Sequence, residues 1–195
     1  CESACNRGEL DESVGINAVE RFLGDRALEK GWAFEKPAKK TGKRVLVVGS
    51  GPAGLSAAYH LVRMGHDVHV VESSEQAGGM MRYGIPKYRL PREILDREIA
   101  RIEALGVEIE TSREVKNLAE EMEKGRYDAV FLGVGASLAR RAYIPTGDAA
   151  HVLDAVSVLR SMEGEEPAML GRRVVVYGGG NTAVSSGGFM IPKDA

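Results

Sequence analysis

The chain has 195 residues, 24 of them glycine, and a formal net charge of −2. The near-neutral charge excludes the strongly basic surfaces that bind nucleic acid or anionic membranes, and no apolar stretch approaches the roughly 20 residues of a membrane span. Hydrophobic residues make up 44% of the chain, which is enough for a buried core. Because two cysteines do not make a disulfide framework, we predict a reducing compartment and a cytoplasmic protein.

Two thiols stand close together at the start of the chain, Cys1 and Cys5. They are either free cysteines at a frayed end or ligands of an iron–sulfur cluster, which takes four thiolates as a rule. A helical spacing of apolar residues then predicts a helix over 13–29 with Ser13 as its cap. The polar, lysine-rich stretch Lys36–Lys43 contains a proline and a glycine and is typical of a linker.

The next stretch has the pattern of a strand, a glycine-rich turn, a helix and a second strand. The β-branched run Val45–Val48 leads into G-x-G-x-x-G. Gly49 allows the tight turn, Gly51 lets the backbone approach a pyrophosphate, and Gly54 lets the helix pack closely on the sheet. The free N–H groups and the positive dipole at the helix start then hold the phosphates. The alternative is a glycine-rich turn selected for packing alone.

The second strand of this unit ends on an acidic residue, Glu72. It lies about 20 residues after the last glycine of the motif, where a carboxylate can accept both ribose hydroxyls of an adenosine. A carboxylate at this position also repels a 2′-phosphate. The first site is therefore predicted to favour FAD or NAD over NADP.

A long glycine-containing loop, Ser73–Pro91, follows. Loops of this length and composition are usually functional. Gly78 and Gly79 would let the backbone lie against a flat ligand, and the Arg82 guanidinium could reach a pyrophosphate or a flavin carbonyl. The alternative is that Arg82 and Tyr83 are an ordinary surface pair.

Alternating helical and strand patterns continue to the second nucleotide motif. A helix is predicted from Pro91 to Gly106, and the later predictions are strands over 107–110 and 128–132, and helices over 115–123 and 153–162. The second of these strands ends in Gly133-Val134-Gly135-Ala136, and a glycine such as Gly135 at the carboxyl end of a strand lets a ligand lie close.

A second dinucleotide signature, G-x-G-x-x-A, follows the β-branched run Arg173–Tyr177. Two such motifs suggest two nucleotides, one held tightly and the other exchanging. The segment that should form the next helix, 184–188, is a poor helix sequence, so this second site is begun and not completed. The motif residues are Gly178, Gly180, Asn181, Thr182 and Ala183.

Four motifs give the chain a resemblance to a known family over residues 1–183. It resembles the flavoprotein family of the small (beta) subunit of bacterial glutamate synthase, which includes the corresponding parts of dihydropyrimidine dehydrogenase and of the ferredoxin:NADP transhydrogenases. The third motif is highly specific, because its spacing has little reason to recur by chance. The motifs are C-E-S-A-C-N-R-G, T-G-K-R-V-L-V-V-G-S-G-P-A-G-L, G-G-M-M-R-Y-G-I-P and G-G-G-N-T-A.

The resemblance implies three cofactors. It implies NAD(P)H at the second motif, around Gly180, Asn181, Thr182 and Ala183. It matches Cys1 and Cys5 with two ligands of a 4Fe-4S cluster whose other ligands lie upstream in the family. It places Arg82 and Tyr83 beside the flavin. It implies FAD in the first site, contacted by Ser50, Gly51, Pro52, Ala53, Glu72 and Gly79.

We therefore expect a doubly wound, Rossmann-like α/β fold in three parts. Residues 1–40 are a helical segment at the edge of the iron–sulfur cluster with its linker, and 41–171 are an incomplete FAD-binding domain. Residues 172–195 begin an NAD(P)H-binding domain that is truncated, and its last residues, 185–195, match nothing expected in the family.

The expected activity is electron transfer from NAD(P)H through FAD to iron–sulfur clusters and a partner subunit or domain. No side chain of the chain is expected to act as acid, base or nucleophile, because the cofactor performs the chemistry. One alternative is a non-catalytic FAD- or NAD-binding assembly module. Another is a dehydrogenase that uses NAD at the first site.

Overall fold

The computed structural model describes residues 2–136 and 153–163. The chain divides into two compact units, Cys1–Phe34 and Glu35–Ala195. The predicted domain boundaries at residues 40 and 171 stay predictions. Several predicted site residues lie outside the described residues: Cys1, Gly178, Gly180, Asn181, Thr182 and Ala183.

From residue 2 onwards, the first unit consists of two short 3-10 turns and one helix. The turns are Glu2–Ala4 and Asn6–Glu9, and helix α1 runs over Ile16–Glu29. The helix predicted over 13–29 is present, but the prediction of Ser13 as its cap was wrong. The cap residue is Gly15, because the chain is not yet helical at residues 12–15.

A glycine within α1 gives a simple stability test. A Cβ added at Gly24 would meet nothing within 4 Å. We expect Gly24→Ala to stabilise the helix by about 0.5–1 kcal/mol, because alanine loses less backbone entropy than glycine on folding. Thermal unfolding followed by circular dichroism measures the change. Gly31→Ala is the matched control: it too has open space, but its φ of +64 disfavours alanine and predicts destabilisation.

The described part of the second unit contains a parallel four-stranded sheet. Its strands are β1 (Arg44–Val48), β2 (Asp67–Val71), β3 (Glu108–Glu110) and β4 (Ala129–Leu132). They lie in the order β3-β2-β1-β4, and every pairing is parallel. This is the order of the first four strands in a doubly wound dinucleotide-binding sheet, so the predicted fold class is confirmed.

Among the described residues, five helices accompany the strands, and two of them begin at side-chain caps. The Asn117 side chain accepts hydrogen bonds from the N–H groups of Ala119 and Glu120, which explains why the helix predicted over 115–123 starts only at Leu118. The Asp154 carboxylate caps the last helix through the N–H of Ser157 at 2.8 Å. The helices are α2 (Pro52–Arg63), α3 (Met80–Tyr83), α4 (Arg92–Glu103), α5 (Leu118–Gly125) and α6 (Ala155–Ser161).

Apolar side chains cover both faces of the sheet, as a doubly wound arrangement requires. Leu46 and Val71 pack with Tyr127 on the side of α5. On the other side, Leu55 of α2 packs against Leu95 and Ile99 of α4. Most residues of β1 and β2 are therefore buried, as is typical of parallel strands, whereas most residues of β3 and β4 are exposed. Within the described ranges, no helix combines the length and apolarity needed to cross a bilayer.

Candidate functional site

The candidate site lies at the carboxyl ends of β1 and β4. The chain leaves β1 through α2 towards β2 on one side, whereas β4 pairs with β1 on the other side. Such a reversal of strand order opens a crevice that binds ligands in open α/β sheets. Both strands end here in glycine: Gly49 follows β1, and Gly133 follows β4 and donates its N–H to the Val48 carbonyl at 2.8 Å.

Three glycines pack backbone against backbone at this crevice. Gly49 has a φ of +97, and a Cβ there would lie 2.5 Å from the Gly133 carbonyl oxygen. A Cβ on Gly54 would lie 1.8 Å from the Gly49 carbonyl oxygen. Real Cβ atoms do not approach this closely, so the tight turn predicted at Gly49 and the close helix packing predicted at Gly54 both agree with the geometry. Together, Gly49, Gly54 and Gly133 bring α2 against the ends of two strands.

The middle glycine of the motif has a different environment. Gly51 has a φ of −70, and an added Cβ would meet only the Gly79 Cα, at 3.9 Å. Gly51 is the cap residue of α2, and Pro52 and Ala53 form its first turn. Since Gly51 brings no capping side chain, the start of α2 has no side-chain cap. An uncapped helix start beside an open glycine is the arrangement that the motif predicts for binding an anion.

The carboxylate of Glu72 is buried beside this turn. Its Oε2 atom accepts hydrogen bonds from the Ser50 N–H at 2.8 Å and from the Ser50 hydroxyl at 2.7 Å. Its Oε1 atom accepts from the Ser74 N–H at 2.8 Å and from the Ser73 hydroxyl at 3.3 Å. The predicted ribose acceptor is therefore fixed by the glycine turn on one side and by the following loop on the other.

Burial and hydrogen bonding shift the pKa of the Glu72 carboxyl in opposite directions. Burial alone would raise the pKa of the carboxyl, but the hydrogen bonds from Ser50 and Ser74 outweigh it and hold the pKa below its usual value. The group is thus a carboxylate at neutral pH, as recognition of two ribose hydroxyls requires.

Acidification tests this carboxylate. Because its pKa is lower in the folded chain than in the unfolded one, Glu72 contributes fully to stability above about pH 4.3, the usual value of a glutamate. The contribution is lost as the pH falls through the folded pKa. Between roughly pH 6 and pH 3 we expect the urea midpoint to fall further for the wild type than for Glu72→Gln. Parallel curves for the two proteins would contradict this.

The loop after Glu72 returns to the glycine turn. Gly78 donates its N–H to the Ser50 carbonyl at 3.1 Å and has a φ of +124. Gly79 has a φ of +51, and a Cβ there would lie 2.6 Å from the Gly51 Cα. The structure therefore places the predicted residues Gly78 and Gly79 directly against the predicted phosphate-binding turn.

Arg82 is buried, with 4% of its surface exposed. Its Nε atom donates to the Ala77 carbonyl at 2.6 Å, and a terminal nitrogen pairs with Asp96 of α4. The surface-pair alternative for Arg82 was therefore wrong. Since its guanidinium is engaged with protein groups, a contact with a flavin or pyrophosphate stays a prediction.

The other predicted residues are placed as follows. Gly135 follows β4 with a φ of +68, two residues after Gly133. Cys5 lies in the first unit, where backbone hydrogen bonds at Val14 and Arg7 hold the pKa of its thiol below the usual value. Within residues 2–136 and 153–163, no cluster of three or more His, Cys, Asp or Glu side chains could hold a metal ion.

Comparison with known protein families identifies the family to which this fold belongs. The model of the pyridine nucleotide-disulphide oxidoreductase family matches residues 43–190. The chain belongs to this family. The match begins just before β1 and includes the glycine turn, Glu72 and the second motif.

Individual relatives show which oxidoreductases of this family the chain resembles. It is 38% identical over 197 residues to a glutamate synthase (NADH) of Schizosaccharomyces pombe, covering 93% of the chain and 9% of that protein. It is 36% identical to a glutamate synthase (NADPH) small chain of Mycobacterium tuberculosis, covering 93% of the chain and 40% of that protein. The predicted resemblance to the glutamate synthase small subunit is confirmed. The chain spans less than half of the length of these relatives.

Solved structures agree with the fold of the family. FprA of Mycobacterium tuberculosis in complex with NADPH is 25% identical with a TM-score of 0.64, over 75% of this chain and 36% of that one. A 2-naphthoyl-CoA reductase in complex with 2-naphthoyl-CoA is 30% identical with a TM-score of 0.61, over 79% of this chain and 22% of that one.

The described residues fit a dinucleotide of the kind that this oxidoreductase family binds. A Cβ at Gly51 would project into the open space beside that residue, and the start of α2 has no side-chain cap. The Glu72 carboxylate is ionised and lies beside the same turn. The predicted phosphate-binding turn and the predicted ribose acceptor are thus next to each other, as expected for a dinucleotide-binding fold.

Three residues of the site were missed in the sequence. Gly133 could have been found, because it immediately follows a predicted strand at the crevice. Ser74 could have been suspected, because serines readily bond to groups two residues away. Arg160 of α6, which donates to the Ser74 hydroxyl at 2.6 Å, has no local signature, since its partner lies 86 residues earlier.

Proposed function

We propose that the chain carries the FAD-binding part of an NAD(P)H-dependent oxidoreductase that passes electrons to a partner subunit or domain. The observation that carries the proposal is the glycine turn at the β1–β4 crevice with the ionised Glu72 carboxylate beside it. The names of the relatives, glutamate synthases of NADH and NADPH type, support the same chemistry.

The proposed binding mode follows from the N–H donors at the start of α2 and from the Glu72 acceptor. The pyrophosphate lies at the start of α2, against the backbone of Gly51 and Gly79. The adenosine ribose donates to Glu72, where one of its hydroxyls replaces the Ser73 hydroxyl. The hydrogen bond from Ser73 is the longest of the four that the carboxylate accepts. Bound FAD supplies the redox chemistry, accepting a hydride and releasing single electrons.

The remaining cofactors are proposed from the sequence and its relatives. NAD(P)H is assigned to the second motif, at Gly178–Ala183. A 4Fe-4S cluster is assigned to Cys1 and Cys5 with further thiolates supplied from outside residues 1–195. Both assignments require a longer protein or a partner, which agrees with the short span of the chain on its relatives.

The visible absorption spectrum of the purified chain tests the proposal, with identification of any nucleotide released on denaturation. We expect a flavin spectrum and released FAD. A colourless chain that also fails to bind added FAD would contradict flavin binding. A broad brown shoulder would support the assignment of Cys1 and Cys5 to a cluster.

NAD at the first site is the second candidate, because Glu72 would accept the ribose of NAD equally well. A colourless chain with measurable NAD affinity would select it. A flavin that is bound but is reduced by neither NADH nor NADPH would instead favour a non-catalytic assembly module.

A further inference from the structure

Helix α6 contacts the loop that fixes Glu72. Its Arg160 guanidinium donates to the Ser74 hydroxyl at 2.6 Å and lies over the Tyr83 ring, 4.7 Å from the ring centroid. Both partners belong to the loop between β2 and α4, and Ser74 is buried. Arg160 therefore connects α6 to two points of one loop, through a charged hydrogen bond and a cation–π contact.

Ser74 links Arg160 to Glu72, the candidate ribose acceptor. Its backbone N–H donates to Glu72 Oε1 at 2.8 Å, while its hydroxyl accepts from Arg160. The opposite oxygen, Oε2, is held by Ser50 in the glycine turn. The carboxylate thus has one side fixed by the turn itself and the other side fixed by a serine whose position depends on α6.

A second ionic contact holds α6 in place. Glu163, just after the helix, accepts from the Nε atom of Arg92 at 2.8 Å and from a terminal nitrogen of Arg92 at 2.7 Å. The same arginine donates to the carbonyls of Arg82 at 2.5 Å and of Ile85 at 2.8 Å. Because Glu163 and Arg92 are each only 14% exposed, solvent screens the pair weakly. The C-terminal end of α6 is therefore held by two separate contacts, one through Arg160 to the loop between β2 and α4 and one through Glu163 to Arg92 at the start of α4.

We propose that Arg160 is a positioning residue of the dinucleotide site, which orients the Glu72 carboxylate through Ser74 and requires α6 to be docked by Glu163 and Arg92. The inference rests on the proposed function, since it assigns Glu72 to the adenosine ribose. It predicts that nucleotide affinity depends on a side chain that touches no nucleotide.

The first measurement is the dissociation constant of FAD for the 195-residue chain and its Arg160→Ala variant. We expect the constant to rise about tenfold, the size of one charge-assisted hydrogen bond. Ser74→Ala is expected to weaken FAD binding as well. The Arg160→Ala, Ser74→Ala double variant is expected to lose less binding free energy than the sum of the two single losses, because both changes remove the same hydrogen bond.

The second measurement is amide hydrogen exchange in the ligand-free chain. In Arg160→Ala we expect faster exchange at the Ser74 and Gly78 amides and unchanged exchange at Leu46 and Val47 in β1. Arg63→Ala is the matched control, since Arg63 also donates to a hydroxyl, that of Tyr59, and lies over that ring. It is expected to change neither exchange in the loop nor FAD affinity.

Unchanged FAD affinity in Arg160→Ala would overturn the inference, and so would faster exchange throughout the chain, which would indicate general destabilisation. The inference would also be overturned if the losses of FAD binding free energy in the Arg160→Ala and Ser74→Ala variants were fully additive in the double variant. If the wild-type chain binds no FAD, the proposed function fails, and the exchange pattern alone then decides whether Arg160 orders the loop.

Discussion

Replacing Gly54 by alanine is expected to lower the free energy of unfolding by about 3 kcal/mol, the upper end of the usual cost of overpacking. The new Cβ would lie 1.8 Å from the Gly49 carbonyl oxygen and 3.4 Å from a methyl group of Val47. The turn cannot yield easily, because Gly49 is held through its N–H by the Val71 carbonyl at 2.8 Å. Helix α2 must therefore move away from the sheet, and we expect the proposed FAD site to be lost with it.

Urea unfolding at fixed pH measures this effect, and Gly51→Ala is the matched control. At Gly51 the added Cβ meets nothing closer than 3.9 Å, and the φ of −70 suits alanine. We expect Gly51→Ala to fold with nearly wild-type stability and to lose FAD affinity, because its methyl group occupies the proposed pyrophosphate space. Equal stability loss in the two variants would show that the turn does not have the described packing.

Glu72→Ala is the second large effect. It removes the acceptor of the Ser50 N–H, the Ser50 hydroxyl and the Ser74 N–H, and the first two belong to a residue that is fully buried. An unpaired buried donor costs about 1–3 kcal/mol. We expect a loss of about 3 kcal/mol in stability, since water entering the vacated space solvates part of the freed groups.

Urea unfolding and FAD titration together separate the two roles of Glu72. Glu72→Gln keeps one acceptor oxygen and is expected to lose about half as much stability as Glu72→Ala. Glu103→Ala is the control, because this exposed glutamate at the end of α4 should change stability by less than about 0.5 kcal/mol. If Glu72→Ala were as stable as the control, the carboxylate would not hold the turn and loop together.

The parts of the site that sequence could predict are those governed by local chemistry. Gly49, Gly51 and Gly54 lie as the motif indicates, because a strand, a tight turn and a helix start impose their conformations within a few residues. Glu72 likewise follows from the length of one strand–helix–strand unit. The parallel sheet was predictable for the same reason, since β-branched runs alternate with helical patterns.

What the sequence could not show depends on contacts between distant segments. Arg82 looked available to a ligand, but the fold places Asp96 and the Ala77 carbonyl around it. Gly133 follows a predicted strand, but its close approach to Gly49 depends on the pairing of β4 with β1. Ser50 was expected to face a nucleotide, whereas its hydroxyl is directed into the protein towards Glu72.

The contact between Gly49 and Gly133 has a consequence for the order of folding. The turn that follows β1 is completed by a glycine from a strand that the chain reaches more than 80 residues later, and the Arg44 N–H is held across the same distance by Asp128 at 2.8 Å. Closing a loop of this size has a large entropic cost, and parallel pairings of this kind form slowly. We therefore expect the contact between the Gly49 turn and Gly133 to be among the last features to form, and a chain emerging from the ribosome acquires it only after β4 has been synthesised.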